Sequence, residues 1–371
     1  MIVHALNRVC SWGRADRSHD TFSALNRRRA RPAVESLEGR RLLSFYLGPA
    51  VSRQLSTSAG VFQIQTEGAG AFKVHPAGGG AIDLVVFGTN VNSTVSITQI
   101  RPPWHRPARF LPIRKLVVVS GELGNLVAPP VELTGKMTPL VGSVASIDLG
   151  ALGQKSQVDL SGGLGDLTVN NVVLGPTGHF VVSQDLNTQN PSSLLPLNGG
   201  PTSTITIGSM TLDGGRFMIG PDTTGPFAVN SNLTITHDGV LSITRDIADG
   251  LTIGGNLVLS NGGQIVVGRN LTGLSVGGNL LVSQSNDGIA VGGALTGLVV
   301  GGYMQGQGGT TAPTTIDVGV GLNLSLISIA GGVSGVGGLI NANITAGGSI
   351  SGVNVPYGIV QSTLTPNSPP A

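Results

Sequence analysis

The sequence predicts an all-β fold: a parallel β-helix or β-solenoid of short strands with Gly-rich corners, preceded by a disordered basic leader. Three observations carry this. First, one phrase returns at a near-constant period. Leu251-Thr-Ile-Gly-Gly-Asn-Leu257 comes back as Leu274-Ser-Val-Gly-Gly-Asn-Leu280 and Leu298-Val-Val-Gly-Gly-Tyr-Met304, at spacings of 23 and then 24 residues. Such a period marks units that bury their apolar face only by stacking on a neighbour. Second, glycine supplies 58 of 371 residues. It recurs every few positions, where each costs a helix interior about 1 kcal/mol relative to Ala. Third, the chain is 40% hydrophobic and 11% charged, the opposite of a disordered composition.

The phrase explains the coil. Runs of three to five Val, Ile, Leu and Thr fit a pleated, half-buried surface. Gly and Asn between them accept the positive φ of a tight corner. A second phrase, Val267-Gly-Arg-Asn-Leu271-Thr-Gly, returns as Val291-Gly-Gly-Ala-Leu295-Thr-Gly. Successive coils then pair in parallel at about 4.8 Å. Leu251, Leu274 and Leu298 are expected to form one inward ladder, with Ile327 and Val353 as less regular members.

From the N-terminus, residues 1–44 carry nine Arg against four acids and show no apolar periodicity, so they read as the leader. At its end stands Val34-Glu-Ser-Leu37-Glu38-Gly39-Arg40-Arg41-Leu42-Leu43-Ser44. Leu37, Glu38, Arg40, Leu42 and Leu43 resemble the LEPR-XLL segment near the start of many planctomycete surface and secreted proteins, with Gly39 in place of its proline. The resemblance implies export to the cell surface or the medium, and repeats of this Gly-rich β kind. A twin-arginine signal beginning at Arg40-Arg41 is the alternative export reading.

Residues 45–115 form the expected N-terminal β-region and cap, since an open solenoid end exposes strand edges. They include the basic, Pro-rich stretch Arg101–Arg109, read as a solvated excursion between coils. Residues 116–364 hold the solenoid repeats, and 365–371 a disordered tail.

The formal charge of +2 hides a division: from Met137 onward there are four basic residues and eleven Asp. A nucleic-acid partner is therefore not expected. Cys10 is the single cysteine, so no internal disulfide forms. No run of 18 or more apolar residues occurs, so no membrane-spanning helix is expected.

Candidate chemistry is sparse. Gly273-Leu-Ser275-Val-Gly277 matches a nucleophile elbow, but the equivalent positions hold Thr252, Val299 and Ser328, which fits an outward strand position. Gly78-Gly-Gly-Ala-Ile-Asp83 and Gly162-Gly-Leu-Gly-Asp166 come near a calcium-binding nonapeptide, making Asp83 and Asp166 weak metal candidates. Arg245, Asp246 and Asp249, with Asp213 and Arg216, are the one cluster suited to polysaccharide cleavage. No cofactor is expected. Two classes result. The favoured one is a non-catalytic, exported structural or adhesive solenoid whose partner is a cell-envelope component or surface polysaccharide. The alternative is a polysaccharide lyase or hydrolase on a parallel β-helix.

Overall fold

The computed structural model describes residues 51–103, 109–119, 122–140, 144–183, 204–220, 222–284, 286–306, 314–318, 326–330, 338–360 and 362–366. The predicted leader, with Leu37–Leu43, lies outside the described residues, as do residues 104–108 of the basic loop. Among the described residues there are 31 strands and no helix. The chain is a parallel β-solenoid.

Each complete coil has three faces. Face A carries Leu251–Ile253, Leu274–Val276 and Leu298–Val300. Face B carries Leu257–Leu259, Leu280–Val282 and Met304–Gly306. Face C carries Gln264–Val267, Gly288–Val291 and Thr314–Val318. Every strand pairs in parallel with its counterpart one coil away. Single bridges Thr223↔Ile247, Ile247↔Leu271 and Leu271↔Leu295 add a short fourth contact at the corner from C back to A.

The predicted ladder is present. Leu251 pairs with Leu274, Leu274 with Leu298, Leu298 with Ile327, and Ile327 with Val353. The first four are at most 1% exposed. Val353 keeps the register but is 42% exposed, because no described strand stacks beyond it. Outward positions alternate with these, as the period of two requires. Deeper in the stack the filling is aromatic: Phe180 and Phe217 stack with ring centroids 4.8 Å apart, and Phe227 tilts against Phe217.

The N-terminal region has a different pairing. Ser52–Thr57 pairs with Gly60–Glu67, Gly60–Glu67 with Thr94–Arg101, and Ala71–Gly78 with Ala81–Phe87, all antiparallel. Thr94–Arg101 and Ala81–Phe87 then turn their other edges to the first parallel strands, Asn125–Leu140 and Leu111–Val118. Their inward residues, Phe62, Ile64, Phe72 and Ile82 among them, belong to the same core as the coils. Parallel stacking thus takes in Leu111–Val118, and at the other end Thr363–Pro366 carries Thr365 and Pro366 onto face C.

The expected positive φ is met at some corners, Gly214 and Gly250 among them, and not at others. Positive φ occurs at Asn261 (51°) and Gly262 (89°), at the corner between B and C. The Gly-Gly pair of the repeated phrase does not use it. A Cβ on Gly277 would lie closer than 3.0 Å to the backbone oxygen of Gly254 one coil away, and one on Gly278 would strike the Asn256 carboxamide. At that corner the Cα–H bond points along the stacking axis, where coils spaced by about 4.8 Å leave no room for a side chain.

Candidate functional site

The structure divides the cluster that the cleavage alternative needs. Asp213 closes Thr204–Asp213, a strand that runs through faces A and B, and Arg216 opens the face C strand Arg216–Ile219, so both stand at the B–C corner. Arg245, Asp246 and Asp249 follow the face C strand Val240–Ile243 and stand at the C–A corner. Asp213 Oδ1 lies 2.6 Å from His237 Nδ1. Arg245 Nη1 lies 3.7 Å from Asp222 Oδ2. Asp249 is exposed.

Asp246 is engaged in holding coils together. Its Oδ1 accepts both the backbone N–H and the side-chain amide of Asn270, each at 2.8 Å. Its own N–H donates to Asp222 Oδ1 at 3.3 Å, and Asn270 Oδ1 accepts the N–H of Ala294 at 2.9 Å. The partners are 24 residues apart in each step. A matching column stands at the A–B corner: Asn232 Oδ1 accepts from Asn256 N–H and Asn256 Oδ1 from Asn279 N–H, both at 2.8 Å. Asn279 Oδ1 then accepts from Tyr303 N–H at 3.1 Å. Corner N–H groups fall outside the strand ladders, and a short Asn or Asp side chain supplies the missing acceptor. Once the period is known, Asp222, Asp246 and Asn270 can be read as one column from their spacing alone.

The weak metal candidates are not brought together. Gly78, Gly79 and Gly80, all with positive φ, form the turn of an antiparallel hairpin in the cap and not a solenoid corner. Asp83 beyond it receives two hydrogen bonds from Arg114, Nε to Oδ1 at 3.0 Å and Nη2 to Oδ2 at 2.5 Å. That contact raises the Arg114 pKa, chiefly through the hydrogen bond and then through charge attraction. Asp166 is exposed on face A, in register with Ser146 and Thr204. Among the described residues no group of three or more His, Cys, Asp or Glu could hold a metal ion. Ser275 occupies an outward strand position between Thr252 and Val299, with none of the strand-to-helix geometry of an elbow.

A void among Leu84, Ile97, Ile113, Leu126 and Met137 has a volume of about 10 Å³, and an apolar lining keeps so small a space dry. An open groove of about 820 Å³ runs beside Thr98, Gln99, Arg109, Phe110, Pro129 and Glu132.

Two further features were not anticipated from the sequence. Asp287 is 2% exposed. Its Oδ1 accepts the N–H groups of Gly262 at 2.6 Å and Gly263 at 3.1 Å, and its Oδ2 those of Gln284 at 2.7 Å and Ser283 at 3.2 Å. The carboxylate thus clasps two coils. The second feature is a row on face C in which Lys115, Lys136, Gln157, His179 and Arg216 occupy successive rungs.

No protein-family model matches the chain, and no curated protein and no solved structure does so either.

Proposed function

We propose that the chain is a non-catalytic structural or adhesive solenoid, exported to the cell surface or beyond, where it meets a cell-envelope component or polysaccharide. The observation that carries this reading is the employment of the corner side chains. Catalysis needs at least two titratable groups in mutual reach. Here the candidates for cleavage are divided between corners, and Asp246 is bound into an inter-coil column. Asp213, which does meet His237 at 2.6 Å, is well exposed with it at the B–C corner, away from Asp246 and Asp249. The Arg-rich leader and its Leu37–Leu43 segment support export.

Stacked coils form a stiff element whose repeats each contact only their neighbours. Such an element holds a long side surface in a fixed geometry, which suits display and adhesion.

Fractionation of the native cells tests location: the full chain belongs in the envelope or medium, and deletion of residues 1–44 retains it inside. Normal export of the truncated chain would refute the role given to the leader. Turnover is tested on acidic and neutral polysaccharides, with an Asp246→Asn, Asp249→Asn variant alongside. Asn at 246 keeps the acceptor that Asn270 needs, and Asn stands naturally one coil on. Activity in the wild type that is lost in this variant would install the lyase or hydrolase reading.

A further inference from the structure

Face C shows a pattern that folding alone does not call for. Lys115 is in register with Lys136, Lys136 with Gln157, Gln157 with His179, and His179 with Arg216. Each is followed by a buried residue, Leu116, Met137, Val158, Phe180 and Phe217, so the row itself stands on the outer surface. Four steps of about 4.8 Å place its ends roughly 19 Å apart along the solenoid axis.

Like charges directly opposite one another on a sheet are destabilising, yet Lys115 and Lys136 are stacked in this way. Asp83, on the rung before Lys115, is bound by Arg114, and Asp159, on the adjacent outward row, meets the row's own His179 at 3.1 Å. Lys115, Lys136 and Arg216 form no ion pair among the described residues. Beyond Arg216 the row continues as Val240, Gln264 and Gly288, without charge. The positive stretch is therefore confined to the upstream coils of a chain whose later part is acidic.

We infer that this row binds a linear acidic polysaccharide laid along the axis, its carboxylates or sulfates meeting Lys115, Lys136 and Arg216. Gln157 and His179 lie between the cations; His179 faces Asp159, and the Gln157 carboxamide, whose Nε2 donates to Thr177 O at 3.2 Å, keeps its second N–H and its oxygen for polymer hydroxyls. The cations stand on the first, second and fifth rungs, about 5 and 14 Å apart, a line that an extended polymer with several charged units spans. Nucleic acid suits them less, because single strands are gripped by aromatic platforms. The adjacent outward row holds Asp159, Val181 and Met218, with no Phe, Tyr or Trp. The inference deepens the adhesive reading and rests on it only for where the polymer is met.

The test uses the purified full chain and immobilised polygalacturonate, dextran sulfate, neutral dextran and a single-stranded oligonucleotide. Lys136→Gln, Arg216→Gln is compared with Arg53→Gln, Arg269→Gln, which removes the same charge away from the row. The expected result is retention on one or both acidic glycans that weakens as salt rises. The row variant loses about tenfold in affinity, equivalent to about 1.4 kcal/mol, and the control pair changes it less than about twofold. Saturating glycan also raises the melting temperature of the wild type and not of the row variant. Retention on neither acidic glycan, equal losses in both variants, or tighter binding of the oligonucleotide would each overturn the assignment. Because these measurements use purified protein, they stand or fall apart from the fractionation result.

Discussion

Replacing Gly277 by Ala is the sharpest test of why the repeated phrase contains glycine. Where the backbone tolerates Ala, the exchange stabilises by about 0.4–1 kcal/mol, because the unfolded chain loses freedom. Gly273, in the same coil, meets that condition: a Cβ there has one neighbour, the Gly297 oxygen at 3.9 Å, and φ is not positive. At Gly277 the Cβ would press on the Gly254 oxygen, with the Gly254 carbonyl carbon 3.1 Å away. Both atoms are backbone and held in the stack, since Gly277 N–H donates to Ile253 O at 2.7 Å and Gly254 N–H to Val229 O at 2.8 Å. Relief requires the coils to part and those bonds to lengthen, an overpacking cost of about 1–3 kcal/mol. The net expectation is a loss of about 1–2 kcal/mol for Gly277→Ala, against a gain for Gly273→Ala. Urea midpoints of the full chain measure the difference. Amide hydrogen exchange at Leu274–Val276 and Leu298–Val300 locates it, which matters because repeat arrays need not unfold as one unit. If Gly277→Ala proves as stable as Gly273→Ala, coil spacing is not what excludes the side chain.

Three other outcomes follow from the same contacts. Thr223 is fully buried with no partner for its hydroxyl, in a column continued by Ile247, Leu271 and Leu295. Thr223→Val should stabilise by about 1 kcal/mol in denaturant titrations, and a loss would reveal a role for the hydroxyl. Asp287→Asn places a donor against N–H groups and should cost about 2–4 kcal/mol; peptide mapping should also show faster deamidation at Asn261, once Gly262 N–H is released. Asp148 has a raised pKa through burial. A raised carboxyl pKa means the folded chain holds the proton more tightly, so ionisation weakens the fold above that pKa. Asp148→Asn should therefore raise the midpoint at pH 7, with the gain gone below about pH 3.9. A gain independent of pH would refute the charge argument.

The period of 23 and 24 residues, with apolar residues on alternate positions, determined the solenoid, its short strands and the inward ladder of Leu251, Leu274 and Leu298. Those features are legible because local pattern and stacking demand the same residues. The column Asp222, Asp246 and Asn270 was half legible, since each residue taken alone resembles an ordinary turn residue. Asp287 was not legible, because two of its four donors, Gly262 and Gly263, belong to the preceding coil. Nor was the face C row. Its members stand 21, 21, 22 and then 37 residues apart, a sequence in which no fixed period holds. Lengthening a corner adds residues to the chain without moving the next strand off its rung. The sequence by itself therefore determined which side chains face inward. Which outward charges share a rung was decided only when the coils stacked, because hydrogen bonding between coils sets the register and sequence distance does not.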